Sequence, residues 1–215
     1  MNVICIGYRD WALEIYKSLS QSHPDKNFII LNNPPNLDLL HLINPDLILW
    51  YGWSNIISSS YLDNYNSIML HPSPLPKYRG GSPIQNQIIN GETISAVTLF
   101  KMDQGIDTGG IIEQKEFSLE GNLNDVLDRI VNLGITLTNN LINNYPDITL
   151  LPQDDNESSH FKRRKPFQSE ITIEEIENTT AEQLYNKIRA LQDPYPNAYI
   201  TCKNNTKLYI TNSHL

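Results

Sequence analysis

The chain has 215 residues, a formal net charge of −8 and 40% hydrophobic residues. Its length suits one α/β domain with a small appendage, and its acidic balance argues against a nucleic-acid-binding surface, which needs a basic face. The apolar run at residues 3–6 is too short for a signal peptide, and no apolar stretch approaches the length of a membrane span. The two cysteines, Cys5 and Cys202, lack metal-ligand spacing, so we expect two buried thiols in a reducing, cytoplasmic compartment.

Strands and helices alternate in the first part of the chain. The apolar run at residues 3–6 predicts a buried strand, and the runs at 28–31, 47–51 and 67–70 predict three further strands. A stripe of apolar residues at helical spacing follows Asp10, which we expect to cap the first helix. The alternation predicts right-handed βαβ units and an α/β, Rossmann-like, mostly parallel sheet flanked by helices. The turn at Gly7 lacks the three glycines of a dinucleotide-binding fingerprint, so binding of NAD or FAD is not expected.

The middle of the chain continues this pattern. Ser82 followed by Pro83 predicts the start of a helix with Ser82 as its cap. Two further strands, at residues 95–102 and 110–117, flank a glycine-rich loop. A long amphipathic helix is then predicted after Asn122, which is expected to cap it.

The C-terminal part is predicted to be separate and small. The polar segment 151–168 indicates a linker between an α/β domain at 1–150 and a helix and β-hairpin subdomain at 169–215. Thr180 and Gln183 predict a capping box at the start of its helix. Because an isolated hairpin is marginal in water, it must pack on another surface, and we expect a homodimer.

One run of residues with strict backbone demands follows the fourth predicted strand: His71-Pro72-Ser73-Pro74-Leu75-Pro76-Lys77-Tyr78-Arg79-Gly80. Ligands of open parallel sheets bind beyond the carboxyl ends of the strands, where His71 is expected to lie. The prolines fix the backbone after it, and a stiff loop is what a catalytic side chain needs. A lone histidine at a strand end is more often structural, so the run needs a partner to indicate catalysis.

A second run, Met102-Asp103-Gln104-Gly105-Ile106-Asp107-Thr108-Gly109-Gly110, offers that partner. Its three glycines imply a tight loop with a positive φ angle at some position. Asp107 by itself could be a turn aspartate that caps its own backbone. Together, His71 and Asp107 form the minimal pair that moves a proton during transfer chemistry.

The two runs resemble the signature of the formyltransferases that use 10-formyltetrahydrofolate. In that family a His-Pro-Ser-x-Leu-Pro-x-Tyr-Arg-Gly run follows a strand, and a Met-x-x-Gly-x-Asp-x-Gly run supplies an aspartate. Both patterns are present here, at His71 to Gly80 and at Met102 to Gly109. The stretches at 162–166 and 188–199 also look like that family, and the chain is most similar to members that formylate amino sugars on nucleotide carriers.

The resemblance implies transfer of a formyl group to a primary amine, with His71 and Asp107 as catalytic residues and without a metal. It implies that the pterin of the folate lies between the third strand's end and the aspartate loop, at Tyr51, Gly52, Trp53, Ile56, Gly105, Ile106 and Asp107, where backbone groups bind the pterin edge. As an alternative, Trp50, Tyr51 and Trp53 are ordinary core residues. The resemblance further implies that the substrate, an amino sugar on a nucleotide carrier, contacts Tyr8, Arg9, Ser73, Tyr78, Arg79, Lys162 and Arg163. As an alternative, the basic run 162–165 is a solvated surface patch.

The chain departs from the family at one position. The third catalytic residue of the family is an asparagine two positions before the histidine, and Met69 stands there. The asparagine would help to stabilise the developing oxyanion, and the loss of one such donor typically lowers the rate by about 10²–10³. Either another donor replaces it, with Asn55, Asn86 or a backbone N–H as candidates, or protonated His71 acts alone, or the enzyme is weak.

Other functions therefore stay open at this point. A methionyl-tRNA formyltransferase shares the signature, but the acidic balance and the short stretch after the linker weigh against a tRNA-binding domain. A glycinamide ribonucleotide formyltransferase also shares it, although the C-terminal hairpin points away from that enzyme. A third alternative, a catalytically weak homologue that binds folate, is supported by Met69.

Overall fold

The computed structural model describes all 215 residues, and a six-stranded sheet forms its centre. The strands in chain order are β1 (Asn2–Ile6), β2 (Asn27–Leu31), β3 (Leu47–Leu49), β4 (Ser67–His71), the short β5 (Arg79–Gly80), β6 (Ile94–Lys101) and β7 (Ile111–Ser118). Their order in the sheet is β2-β1-β3-β4-β6-β7, with the first four parallel and the last two antiparallel. The predicted Rossmann-like, mostly parallel architecture is confirmed.

Seven α-helices accompany the strands: α1 (Asp10–Ser22), α2 (Leu37–Ile43), α3 (Ser59–Leu62), α4 (Pro83–Ile89), α5 (Leu123–Asn144), α6 (Ile173–Asn178) and α7 (Ala181–Ala190). Asn122 caps α5 in a capping box, and Thr180 and Gln183 form the predicted box on α7. The predicted Asp10 cap is wrong, because Asp10 is already the first helical residue of α1. Ser82 stands at the predicted N-cap position before Pro83, but its hydroxyl makes no capping bond and instead accepts a hydrogen bond from the Arg164 N–H.

Two apolar clusters cover the two faces of the sheet. The larger contains 26 buried residues, among them Ile68 and Leu70 of β4. The smaller is built around Ile4, Ile6, Leu40, Ile48 and Trp50, and Met69 packs against it. Successive side chains of a strand point to opposite faces, so His71 lies on the same face as Met69. The position where the family has asparagine therefore does face the side of the sheet that carries the histidine.

The segment predicted to be a linker contacts the main domain. Its short strand β8 (His160–Phe161) pairs in parallel with β5, which forms the end of the run that begins at His71. The predicted C-terminal hairpin is present as β9 (Ala198–Thr201) and β10 (Lys207–Ile210), and it exposes Leu208 and Tyr209. The homodimer stays a prediction.

Cys5 is buried as expected, but the prediction for Cys202 is wrong. Cys202 lies at the exposed turn of the hairpin, where no second layer covers it. None of the helices has the length and apolar character needed to cross a membrane.

Candidate active site

His71 ends β4 at the carboxyl edge of the sheet and is 6% exposed. Its Nε2 lies 2.9 Å from the carbonyl oxygen of Tyr78. A carbonyl can only accept, so Nε2 carries a hydrogen and donates it. The other ring nitrogen, Nδ1, lies 3.6 Å from Oδ2 of Asp107. The fold thus brings the two candidate catalytic side chains together and leaves Nδ1 as the nitrogen that can exchange a proton.

The loop after His71 is held by side chains that bind its backbone. Thr98 Oγ1 donates to the Ser73 carbonyl at 2.7 Å, and Gln87 Nε2 donates to the Pro72 carbonyl at 2.9 Å. Ser73 itself is fully buried, and its hydroxyl donates to the Lys77 carbonyl at 2.8 Å. The prediction that Ser73 contacts substrate is therefore corrected, since its hydroxyl is committed to the loop.

Asp107 occupies the predicted glycine-rich loop, but the positive φ angle of the loop falls on Asp107 itself, at 55°. Its carboxylate Oδ2 accepts a hydrogen bond from the Gly80 N–H at 2.8 Å. Gly109 is needed for a different reason, because a Cβ there would overlap the carbonyl oxygen of Lys101. The side chain of Asp107 is 13% exposed, so the pair is nearly shielded from water.

Two more predicted substrate contacts are corrected by the structure. Arg79 is 2% exposed, and its guanidinium donates to Gln153 and Asp155. The hydroxyl of Tyr78 donates to Glu92, and its ring stacks on Phe161 with centroids 4.7 Å apart. Both side chains are engaged within the protein, so they support the site and do not face a ligand.

The segment predicted to hold the folate divides into core and exposed parts. Tyr51 is fully buried, and its hydroxyl hydrogen-bonds to Thr138. Its side chain therefore packs in the core, and only its backbone is left to contact a cofactor. Gly52 has a φ of 64°, which lets the chain turn sharply out of the sheet. Beyond it Ile56 is 93% exposed, and on the aspartate loop Ile106 is 62% exposed.

These exposed apolar side chains fit a flat, partly apolar ring system. Both loops rest on the same small cluster, which Trp53 contacts from one loop and Met102 from the start of the other. Apolar side chains exposed singly are ordinary, but Ile56 and Ile106 lie on two loops that pack on one cluster, and the second loop carries Asp107. Exposed apolar side chains in such a setting are typical of a ligand slot. The residues present are therefore compatible with a pterin.

A cationic and aromatic cluster lies next to this slot. The Arg9 guanidinium lies 5.3 Å from the ring centroid of Tyr8 and 5.9 Å from that of Tyr195. Tyr8 hydrogen-bonds to Ser54, and neither Arg9 nor Arg163 forms a salt bridge. We call these residues, Tyr8, Arg9, Arg163 and Tyr195, the arginine cluster.

The pKa values of Tyr8 and Tyr195 are set by burial and by the two arginine charges together. Partial burial would raise the pKa of Tyr8, but hydrogen bonds from Ser54 and Arg163 and the charges of both arginines outweigh it and lower that pKa. Burial raises the pKa of Tyr195 despite the same two positive charges. The predicted contacts Tyr8, Arg9 and Arg163 thus converge, whereas Lys162 is an exposed neighbour with no contact in the cluster.

Met69 and the two candidate replacement amides are also placed. Met69 is half-buried against the smaller apolar cluster. Asn86 donates from Nδ2 to the Gly81 carbonyl at 2.9 Å, which commits one of its two amide hydrogens. Asn55 is exposed on the loop after Gly52. No group of three or more His, Cys, Asp or Glu side chains is arranged to hold a metal ion.

Comparison with known families agrees with this geometry. Residues 19–132 match the model described as "Formyl transferase", and residues 175–215 match "Formyl transferase, C-terminal domain". His71 and Asp107 both lie within the first match. The chain belongs to the formyl transferase family.

Individual relatives differ in length and in name. A methionyl-tRNA formyltransferase from Campylobacter lari is 34% identical over 81% of this chain. The chain spans 60%, 48% and 59% of the length of three such curated relatives. A solved methionyl-tRNA formyltransferase from Clostridium thermocellum is 29% identical with a TM-score of 0.84, and the match covers 98% of this chain and 97% of that one. A sugar N-formyltransferase from Shewanella shares the fold, with 20% identity, a TM-score of 0.80 and coverage of 100% and 98%.

Sequence reasoning missed Tyr195 and Gln153 as parts of the site. Tyr195 follows the C-terminal helix, and nothing in its spacing places it beside Arg9. Gln153 lies in the segment predicted to be a linker, and it donates to the carbonyls of Asp107 and Gly109. Both contacts join residues far apart in sequence, which a single sequence does not reveal.

Proposed function

We propose that the protein is an N-formyltransferase that transfers the formyl group of 10-formyltetrahydrofolate to the primary amine of an amino sugar carried on a nucleotide. The observation that carries the proposal is the buried pair of His71 and Asp107 at the carboxyl edge of the sheet. Membership of the formyl transferase family supports the reaction class. The arginine cluster beside the pair supports the nucleotide carrier.

The folate would supply the formyl group, and Gly52, Trp53, Ile56, Gly105 and Ile106 would hold its pterin. The amine must lose a proton as it becomes an amide. His71 Nδ1 can take that proton, because Nε2 is engaged with Tyr78. The carboxylate of Asp107, 3.6 Å away, then faces the positive charge of the imidazolium. Acid–base groups of this kind typically contribute about 10²–10⁴ in rate.

The arginine cluster is positioned to bind the phosphates of the substrate. A Cβ on Gly52 would lie 2.8 Å from Arg9 Cβ, so Arg9 contacts the folate segment. A Cβ on Gly81 would overlap the backbone of Arg163, and the preceding Gly80 binds Asp107. Two unpaired guanidiniums so close to the proton-transfer pair suit a diphosphate, because guanidinium groups bind phosphate oxygens in pairs.

The direct test is an assay of formyl transfer from 10-formyltetrahydrofolate to a panel of nucleotide-linked amino sugars, their free sugars and methionyl-tRNA. Formylation of a nucleotide-linked sugar, at a rate well above that of the free sugar, is expected. Arg9→Gln and Arg163→Gln should each raise KM for that substrate by about tenfold or more, since a hydrogen bond to a charged group contributes about 1.5–3 kcal/mol. Lys17→Gln, an exposed lysine of α1, is the control and should leave KM unchanged.

Methionyl-tRNA is the second candidate substrate, because curated relatives at 34% and 35% identity carry that name. Formylation of methionyl-tRNA without formylation of any amino sugar would overturn the proposed substrate class and leave the reaction class intact. Binding of 5-formyltetrahydrofolate without transfer to any amine in the panel would favour a folate-binding homologue. No folate binding at millimolar ligand would remove the cofactor assignment altogether.

A further inference from the structure

Asp107 accepts two hydrogen bonds that involve the dipeptide Arg79-Gly80, one directly and one through Gln153. Its carboxylate accepts from the Gly80 N–H at 2.8 Å. Its main-chain carbonyl accepts from Gln153 Nε2 at 2.9 Å, and Gln153 is in turn bound by the Arg79 guanidinium. Both the side chain and the main chain of Asp107 are therefore connected by hydrogen bonds to the same dipeptide.

We propose that Gln153 and Arg79 are positioning residues, which keep the carboxylate of Asp107 beside His71 through hydrogen bonds to the backbone of the aspartate loop. This inference rests on the proposed function for its effect on turnover. Neither family match includes Gln153, which lies between residues 132 and 175.

The amide of Gln153 uses all its hydrogen-bonding capacity in this role. Its two Nε2 hydrogens go to the carbonyls of Asp107, at 2.9 Å, and of Gly109, at 2.7 Å. Its Oε1 accepts from Arg79 Nε at 3.0 Å and from Nη2 at 2.8 Å, which occupies both lone pairs. Among side chains, only the amides of Asn and Gln combine two donor hydrogens with a carbonyl oxygen that accepts from a guanidinium.

The aspartate loop needs such a restraint. Asp107 has a φ of 55°, and the left-handed conformation costs an L-residue roughly 1–2 kcal/mol. Gly105 and Ile106 before it are exposed, so packing does not fix the loop from that side. Without the bonds to Gln153, the loop can relax toward commoner backbone angles and move the carboxylate away from Nδ1.

Arg79 is suited to hold Gln153 in place. It is 2% exposed, and its Nη1 donates to Asp155 at 2.8 Å, while the side chain of Asp155 is 82% exposed. Its backbone N–H donates to the Ser159 carbonyl, and β5 pairs with β8. The buried guanidinium therefore ties the segment around residues 153–161 to the strand that binds the Asp107 carboxylate.

Gln153→Glu tests this role most directly, because it replaces only the NH2 group of the amide by an oxygen. The carboxylate still accepts from Arg79, but it cannot donate and it repels the two carbonyl oxygens. We expect turnover to fall by about tenfold or more, as for a misplaced catalytic group. Gln21→Glu is the matched control: it makes the same exchange on an exposed side chain of α1, and its turnover should match the wild type.

A double-mutant cycle separates positioning from a general structural role. In an Asp107→Ala background, Gln153→Glu should cause no further loss of turnover, because its effect acts through the missing carboxylate. Equal losses in both backgrounds, or wild-type turnover in Gln153→Glu, would overturn the proposal. Arg79→Lys should resemble Gln153→Glu, because an ammonium cannot donate as a fork to both Gln153 and Asp155.

Hydrogen exchange provides a readout that does not depend on the proposed substrate. Gln153→Glu should raise amide exchange in residues 103–110, while exchange in β4 and in the loop after His71 stays as in the wild type. Unchanged exchange at 103–110 would overturn the positioning role even if the enzyme proved inactive on every amine tested. Faster exchange in an inactive protein would instead support the role and leave only the function in question.

Discussion

The two halves of the candidate catalytic pair are held in place by different means. The loop after His71 contains prolines at 72, 74 and 76, and buried side chains bind its backbone. The loop of Asp107 contains glycines, is largely exposed and depends on Gly80 and Gln153.

This difference has a physical cause. Proline removes backbone freedom from the unfolded chain as well as from the folded one, so much of the first loop's order is local. Glycine permits a tight loop but adds freedom, so the second loop must be ordered by contacts with distant segments. One catalytic group is therefore positioned by its own neighbours in sequence, and the other by tertiary structure.

The largest effect is expected from removing either member of the pair. His71→Ala and Asp107→Ala should each lower turnover by about 10² or more, as for a lost acid–base group. Because the two groups act as a unit, the double variant should be little worse than either single variant. Steady-state assays with the best amine test this, and His214→Ala, an exposed histidine near the C-terminus, is the control. Near wild-type rates in both variants would refute the mechanism.

The next effect concerns the glycines of the aspartate loop. Gly109→Ala would bring its Cβ into the Lys101 carbonyl, so the backbone must shift, and turnover should fall by about tenfold or more. Gly110→Ala is the neighbouring control, because its Cβ would meet only the side chain of Leu150, at 3.1 Å, which is partly exposed and can move. Similar rates in the two variants would show that the loop tolerates displacement.

A smaller effect is expected in the proline loop. Pro74→Ala should lower the free energy of unfolding by about 0.4–1 kcal/mol through the unfolded chain. Turnover should change less than threefold, since Thr98 and Gln87 still bind the loop backbone. Chemical denaturation and steady-state assays measure the two quantities. A large loss of turnover would mean that the prolines, and not these hydrogen bonds, position His71.

The smallest change in turnover is expected from Met69→Asn. We predict an unchanged or slightly lower rate, with another donor stabilising the oxyanion, while the polar side chain weakens packing against the apolar cluster. A gain of about 10² would show that the oxyanion site is incomplete, because one missing donor costs that much. Folate affinity should stay constant in either case, since the oxyanion forms only on the way to product.

The sequence predicted the site less completely than the fold. Strand positions, the Asn122 cap and the capping box of Thr180 and Gln183 followed from periodicity and local side-chain chemistry, which act within a few residues. Arg79 and Ser73 were assigned to substrate because both lie in the signature run, yet their burial commits them to internal hydrogen bonds. Ser82 takes the predicted N-cap position, but its hydroxyl accepts from Arg164, 82 residues away, and makes no capping bond.

By itself, the sequence determined the alternating α/β pattern, the placement of His71 at a strand end and the presence of a tight loop around Asp107. These depend on hydrophobic period, proline and glycine, whose effects are local. Only the tertiary structure decided which nitrogen of His71 faces Asp107, that the positive φ falls on the aspartate, and that Gln153 holds it. Those features arise where segments distant in the chain exchange hydrogen bonds, and one sequence carries no record of such pairings.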